Sequence, residues 1–180
     1  MTRNGESVSA GAQNGAPRQP RGTAKDRALR LLGVRWRSRE ELRRRLSAAG
    51  FHGPEIDRAL DDLERVGLVE DRRFARELVR DQAARRLAGD RAIRSALREK
   101  GVAASVADEA LAASGDERER ARALAGRRAA RFAGLAPDAA YRRLLGVLVR
   151  RGYGAAMAAE ACREALAEVF GDDAIRDDSS

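Results

Sequence analysis

Arginine is the side chain through which this sequence could do most chemistry. Lys25 and Lys100 are the only lysines among 36 basic residues, so 34 arginines face 28 carboxylates and the formal charge is +8. A basic surface attracts phosphate backbones or an acidic protein, and charge alone does not choose between them. Catalytic candidates are scarce. His52, the sole histidine and the usual kind of general base near neutral pH, stands between Gly50 and Pro54 in what reads as a loop. Asp61 and Asp62, like Asp172 and Asp173, are sequence neighbours, so on a helix they point apart and cannot easily share a proton. No glycine–lysine phosphate loop, HExxH or Gly-x-Ser-x-Gly string is present. Cys162, the single cysteine, allows neither an internal disulfide nor a thiolate metal cage and reads as a small core residue. The expectation is a binding protein that is not an enzyme, with no catalytic, cofactor or metal residues.

Placed on helices, the arginines form stripes. Glu40 pairs with Arg44 and Glu41 with Arg45 at i,i+4, which leaves Arg39 and Arg43 as an unpaired couple near Arg35 and Arg37. Arg72, Arg76 and Arg80 line up on a later helix; Arg91, Arg94 and Arg98 form a stripe opposite Ile93 and Leu97, with Lys100 just beyond. These eleven basic residues are the candidate partner contacts, a solvated face being the alternative for any one of them. Trp36 lies between Arg35 and Arg37. It reads as packing, with stacking on a base or a guanidinium as the alternative.

The elements that carry these residues are helical. Charged residues make up 36% and aromatics 4%, so the core must come from Leu, Val, Ile and Ala, a composition that favours helices. Residues 1–22 hold hardly any large apolar side chain and are expected to form a disordered, mildly basic tail; residues 171–180 read as an acidic, frayed end. A first helix runs from Lys25 to about Trp36 with Ala28, Leu29, Leu31 and Leu32 as its apolar patch, and Ser38 with Glu41 makes a capping box for a second. Pro54 opens a third. Gly67 ends it in the left-handed conformation, and Asp71 is the expected N-cap of a helix from Arg72 to about Leu87 that carries Phe74 inward. Two further rounds of the same plan follow.

A fixed interval of 51 links the middle helix of each round. It joins Leu42, Ile93 and Leu144, then Leu46, Leu97 and Leu148, then Gly50, Gly101 and Gly152, then Phe51, Val102 and Tyr153. The pattern is an apolar pair at i and i+4, a glycine C-cap, and an apolar residue folding back over the helix end. It predicts an all-α fold of three tandem three-helix repeats (23–70, 71–115 and 116–170) in an elongated, curved array, each too small to bury its faces alone. A single globular nine-helix bundle is the alternative.

Through RSREELRRRL (Arg37–Leu46), Gly50, GLVEDRRFA (Gly67–Ala75), Gly89, Ile93, Leu97, the Lys100–Val102 triplet and Arg150–Tyr153, the sequence resembles the RecX regulators of the RecA recombinase. The resemblance covers about Lys25 to Val169. It implies tandem three-helix repeats and a non-enzymatic protein that binds RecA, lies along the groove of the RecA filament on DNA, and inhibits it. No run approaches the roughly 20 apolar residues that span a bilayer, and with the cysteine usage this leads to an expected cytoplasmic monomer without a membrane partner. The competing reading is a stand-alone DNA-binding protein whose short helices act as helix-turn-helix units.

Overall fold

The 51-residue interval has a direct structural cause. In the computed structural model, which describes residues 22–171, Gly50, Gly101 and Gly152 adopt φ of 90°, 73° and 92°. Each closes a helix in the same way. The amide after the glycine (Phe51, Val102, Tyr153) donates to the carbonyl of Leu46, Leu97 or Leu148, while the glycine amide donates to the next carbonyl along. This is the Schellman closure, which only glycine enters without a Cβ penalty. The four columns hold twelve residues, and the nine apolar ones are at most 6% exposed. Gly67, at φ 71°, closes the helix before it with the same pair of bonds, to Glu64 and Leu63.

Among the described residues there are nine α-helices and no strands. The first unit comprises α1 (Ala24–Leu32), α2 (Arg39–Ala48) and α3 (Gly53–Arg65); the second α4 (Asp71–Arg80), α5 (Asp90–Glu99) and α6 (Ala104–Ala112); the third α7 (Glu117–Ala129), α8 (Pro137–Arg150) and α9 (Ala155–Phe170). Apolar side chains gather into three clusters in chain order. The first is centred on Leu42, Leu46, Leu60 and Leu63, the second on Phe74, Ile93, Leu97 and Leu111, the third on Leu144, Leu148, Tyr153 and Leu166. Three successive cores replace the single centre that a nine-helix bundle would need. The third is lined by alanines from α7 and α9, among them Ala121, Ala125, Ala158 and Ala161, which let those helices approach closely. Cys162 is fully buried there, where loss of hydration pushes its thiol up to about 12, so it stays a neutral core residue.

Several local expectations need correction. The first helix stops at Leu32 instead of reaching Trp36: Thr23 and Asp26 cap its start reciprocally, and beyond Gly33 the Arg37 Nε takes the Leu31 carbonyl at 3.1 Å. Leu29, counted into its apolar patch, is 41% exposed. Ser38 does accept from the Glu41 amide, but the Glu41 carboxylate turns to arginines and makes no return bond, so half of the capping box is missing. Asp71 is the first residue of α4, not its N-cap; Glu70 takes the cap position without a side-chain bond. The helix from Arg72 does not run evenly to Leu87, because α4 passes into a π-helical turn over Asp81–Arg85. Leu87 then turns the chain at φ 47°. The expected tails, 1–22 and 171–180, lie outside the described residues but for Gly22 and Gly171. Among the described residues no helix is long and apolar enough to cross a membrane.

Candidate partner-binding surface

Arg35, Arg37, Arg39 and Lys100 meet at the first of two junctions between consecutive units, and both junctions are built on one plan. At the first, the N-terminus of α2 abuts the C-terminus of α5. The Ser38 hydroxyl donates to the Lys100 carbonyl at 2.5 Å, and Asp71, the first residue of α4, accepts the Arg39 amide at 2.9 Å. At the second, the N-terminus of α5 abuts the C-terminus of α8. The Gly89 amide donates to the Arg151 carbonyl at 2.9 Å, and Glu117, the first residue of α7, accepts the Asp90 amide at 2.8 Å. Each unit's leading acidic residue thus caps the middle helix of the unit before it, satisfying an amide that has no partner within its own helix.

Glu41 is the charge centre of the first junction. Its Oε1 accepts from Arg35 and Arg37, both at 2.5 Å, and from Arg45 at 3.2 Å; Lys100 Nζ lies 3.7 Å from Oε2. Burial by itself would raise this carboxyl. The hydrogen bonds from Arg35 and Arg37, with the nearby charges of Arg35 and Lys100, outweigh burial and hold it below the usual carboxylate range. Asp71 behaves oppositely. Desolvation raises its carboxyl, helped by the neighbouring Glu64 charge, and the Arg39 amide offsets only part of the rise.

This geometry divides the eleven candidates. Arg37 is 7% exposed and holds α1 and Glu41 together, so it is a structural residue. Arg39 and Arg43 are not an unpaired couple: Arg39 reaches Asp61 and Glu64 on α3, and Arg43 reaches Asp57. Arg35 and Lys100 belong to the Glu41 cluster. Arg94 is paired with Asp108 at 2.9 Å and Arg72 with Glu109 at 3.4 Å, while Arg76 and Arg80 keep looser contacts to Glu70 and Glu77. Among the described residues Arg91 and Arg98 have no carboxylate partner, and both are exposed. The stripe on α5 therefore projects most of its charge to solvent; the one on α2 is largely neutralised by α3. Trp36 is half-buried against the second core with the Arg73 guanidinium 3.9 Å above its ring, so packing and cation stacking occur together, across the first junction. His52 is an exposed residue at the start of α3 with no side-chain cap bond.

The helical units have counterparts among known proteins. Residues 24–63 match the sequence family described as RecX, first three-helix domain, and residues 71–111 match RecX, second three-helix domain. A regulatory protein RecX from Corynebacterium efficiens is 38% identical over 149 residues, which span 79% of this chain and 71% of that one. The chain belongs to the RecX family. A second RecX regulatory protein, from Amycolatopsis mediterranei, is 34% identical over 87% of this chain and 90% of its own length. The crystal structure of RecX from Lactobacillus salivarius superposes with a TM-score of 0.69 at 22% identity, covering 79% of this chain and 94% of that one, and supports the fold. The two matched domains of the RecX family coincide with the first two cores, and the sequence reading drew all eleven of its basic candidates from them. It passed over the third unit, where residues 127–151 hold seven arginines and a single acidic residue, Asp138. That local imbalance is a signal composition alone could have raised.

Proposed function

We propose that this chain is a cytoplasmic, monomeric, non-enzymatic regulator that binds the RecA recombinase and its filament on DNA, and restrains recombinase activity in recombination and DNA repair. The observation that carries the reading is the match of the chain, through most of its length, to regulatory proteins RecX. Units 23–70, 71–115 and 116–170 act as successive docking modules in this reading. Arg91 and Arg98, exposed and without carboxylate partners among the described residues, are its foremost contacts, with Arg72, Arg76, Arg80 and Arg94 beside them. Arg37 and Arg39 serve the fold.

Purified chain added to RecA on single-stranded DNA is expected to suppress ATP hydrolysis and strand exchange at equimolar ratios or below. No effect at several-fold excess would overturn the proposal. Replacing Arg91 and Arg98 by glutamine is expected to raise the concentration needed for half inhibition about tenfold while leaving the melting temperature unchanged. A pull-down with RecA, with and without DNA, separates this reading from a stand-alone DNA-binding protein, which would retain tight duplex binding and form no RecA complex.

A further inference from the structure

On α7, Arg118, Arg120 and Arg122 are all paired with carboxylates, to Glu160, Asp90 and Glu164. Toward the end of that helix the partners run out. Among the described residues no ion pair reaches any of the seven arginines between Arg127 and Arg151. Six of them gather along one stretch of surface. Where the second unit meets the third lies a cleft of about 470 Å³ walled by three consecutive arginine pairs: Arg85–Arg86 from the π-helical turn, Arg127–Arg128 from α7 and Arg150–Arg151 from the end of α8. Only the first pair has a carboxylate in reach, Asp81 at 3.6 and 3.2 Å. Arg151 Nη1 donates to the Arg86 carbonyl at 2.5 Å, which fixes the distance between two of the walls.

The cleft does not end the basic surface. Arg150 also lines a neighbouring groove of about 560 Å³ that continues along α8 past Arg142 and Arg143. Arg143 and Arg150 are seven residues apart on one helix, about 10.5 Å at roughly 1.5 Å per residue, or about three steps of a duplex strand at roughly 3.4 Å each. A pocket for one small anion would converge its donors on a single enclosed point; here guanidinium groups follow one another along an open track. Six of the residues lining the cleft are arginines, whose forked guanidinium groups match the geometry of phosphate oxygens.

We infer that this track, along the third unit and its junction with the second, binds the phosphates of a nucleic acid strand. The inference deepens the function proposed above and rests on it only in choosing nucleic acid over other polyanions. It assigns DNA contact to a unit that contributed none of the eleven candidate residues, and leaves the α4 and α5 stripes to a protein partner.

The test needs no recombinase. Binding of a fluorescent oligonucleotide, single-stranded and duplex, is measured over a salt series for the full chain, for Arg127→Gln with Arg150→Gln, and for Arg142→Gln with Arg143→Gln. Arg27→Gln with Arg58→Gln serves as a control of equal charge change. All six positions are exposed. Each track variant is expected to bind at least about tenfold more weakly and to lose roughly 1.4 units of log–log salt slope on single strands, or about 1.8 on duplex. The control is expected to change less than about twofold, and lysine at 127 and 150 to restore binding. Equal losses in control and track variants would overturn the inference, as would a chain that ignores DNA, or one whose track takes tripolyphosphate as well as it takes an oligonucleotide of matched charge. Inhibition of RecA, measured separately, keeps the two readings apart. A track variant that loses DNA but still inhibits upholds the track and leaves the regulator reading intact; a chain that binds DNA through the track and never affects RecA upholds the track and removes the regulator.

Discussion

The two junctions solve the same problem with different groups. Shifted by 51 residues, Ser38 becomes Gly89 and Lys100 becomes Arg151, so a side-chain hydroxyl seals the first junction and a backbone amide the second. The backbone seal requires the chains to touch: a Cβ on Gly89 would stand 2.5 Å from the Gly152 carbonyl carbon, and one on Gly152 would stand 2.5 Å from the Ala92 Cβ. The first junction is as close: a Cβ on Gly101 would stand 2.4 Å from the Cβ and Cγ of Glu40, the root of that side chain. The electrostatics differ as well. Glu41 gathers four cations there, three of them about half-exposed, whereas the second junction buries one pair, Arg120 with Asp90, and adds the Tyr153 hydroxyl donating to the Leu87 carbonyl at 2.8 Å. Burial pushes the Tyr153 phenol up to about 12, so that bond does not titrate in the physiological range. Both junctions rest on close contact, and the first adds a cluster of charges.

The largest effect is expected from a methyl group added at the second junction. Gly152→Ala combines a left-handed backbone, worth about 1–2 kcal/mol against alanine, with an overlap on Ala92 that costs about 1–3 kcal/mol in a packed site. The expected loss of about 2–5 kcal/mol should lower the melting temperature by on the order of 10 °C. Gly67→Ala is the matched control, since φ is 71° there but nothing lies within 4 Å of an added Cβ. It is expected to lose only the backbone share. Calorimetry finding the two variants equal would show that close contact does not hold the second junction.

The same contrast explains what could be read from the chain beforehand. Helix closure by Gly50, Gly101 and Gly152 is local, since donor, acceptor and glycine lie within six residues, so the repeat and its core columns were visible. The junctions were not. Asp71 sits where a cap belongs, and its spacing before Arg72 pointed to its own helix; its acceptor role is fulfilled 32 residues back, at the Arg39 amide. The pairing of Arg39 with Asp61 and of Arg43 with Asp57 likewise crosses between helices, beyond the reach of an i,i+4 rule. The arginine track went unseen for a related reason: its three walls are separated by 42 and 23 residues and meet only through the fold.

Glu41 supplies the next largest effect and a pH signature. Replacing it by glutamine leaves Arg37 buried without a counter-charge, at an expected cost of about 2–3 kcal/mol; this lies below the full cost of breaking a buried pair because Arg35, Arg45 and Lys100 stay partly hydrated. The folded carboxyl titrates below its ordinary value. Its stabilisation is therefore complete above the usual carboxylate range and is lost as pH falls through the lower, folded value. Melting curves of the wild type and Glu41→Gln are expected to differ at pH 7 and to draw together as pH falls through and below the usual carboxylate range. A gap that does not narrow as pH falls through that range would mean that the Glu41 charge does not stabilise the first junction.

Asp71 gives the smallest effect and the opposite sign. Its folded carboxyl is raised, so ionisation there works against the fold and its unfavourable contribution grows as pH climbs through the carboxylate range. What the junction uses is an oxygen that accepts the Arg39 amide. Asparagine keeps such an oxygen and removes the charge, so Asp71→Asn is expected to be neutral or slightly stabilising at pH 7. Asp71→Ala removes the acceptor and should cost about 0.5–2 kcal/mol, the usual value of a lost helix cap. If denaturant titration places asparagine with alanine, the charge at position 71 matters more than the acceptor, and the leading acidic residue of each unit is an electrostatic partner of the preceding helix dipole rather than a cap for its first amide.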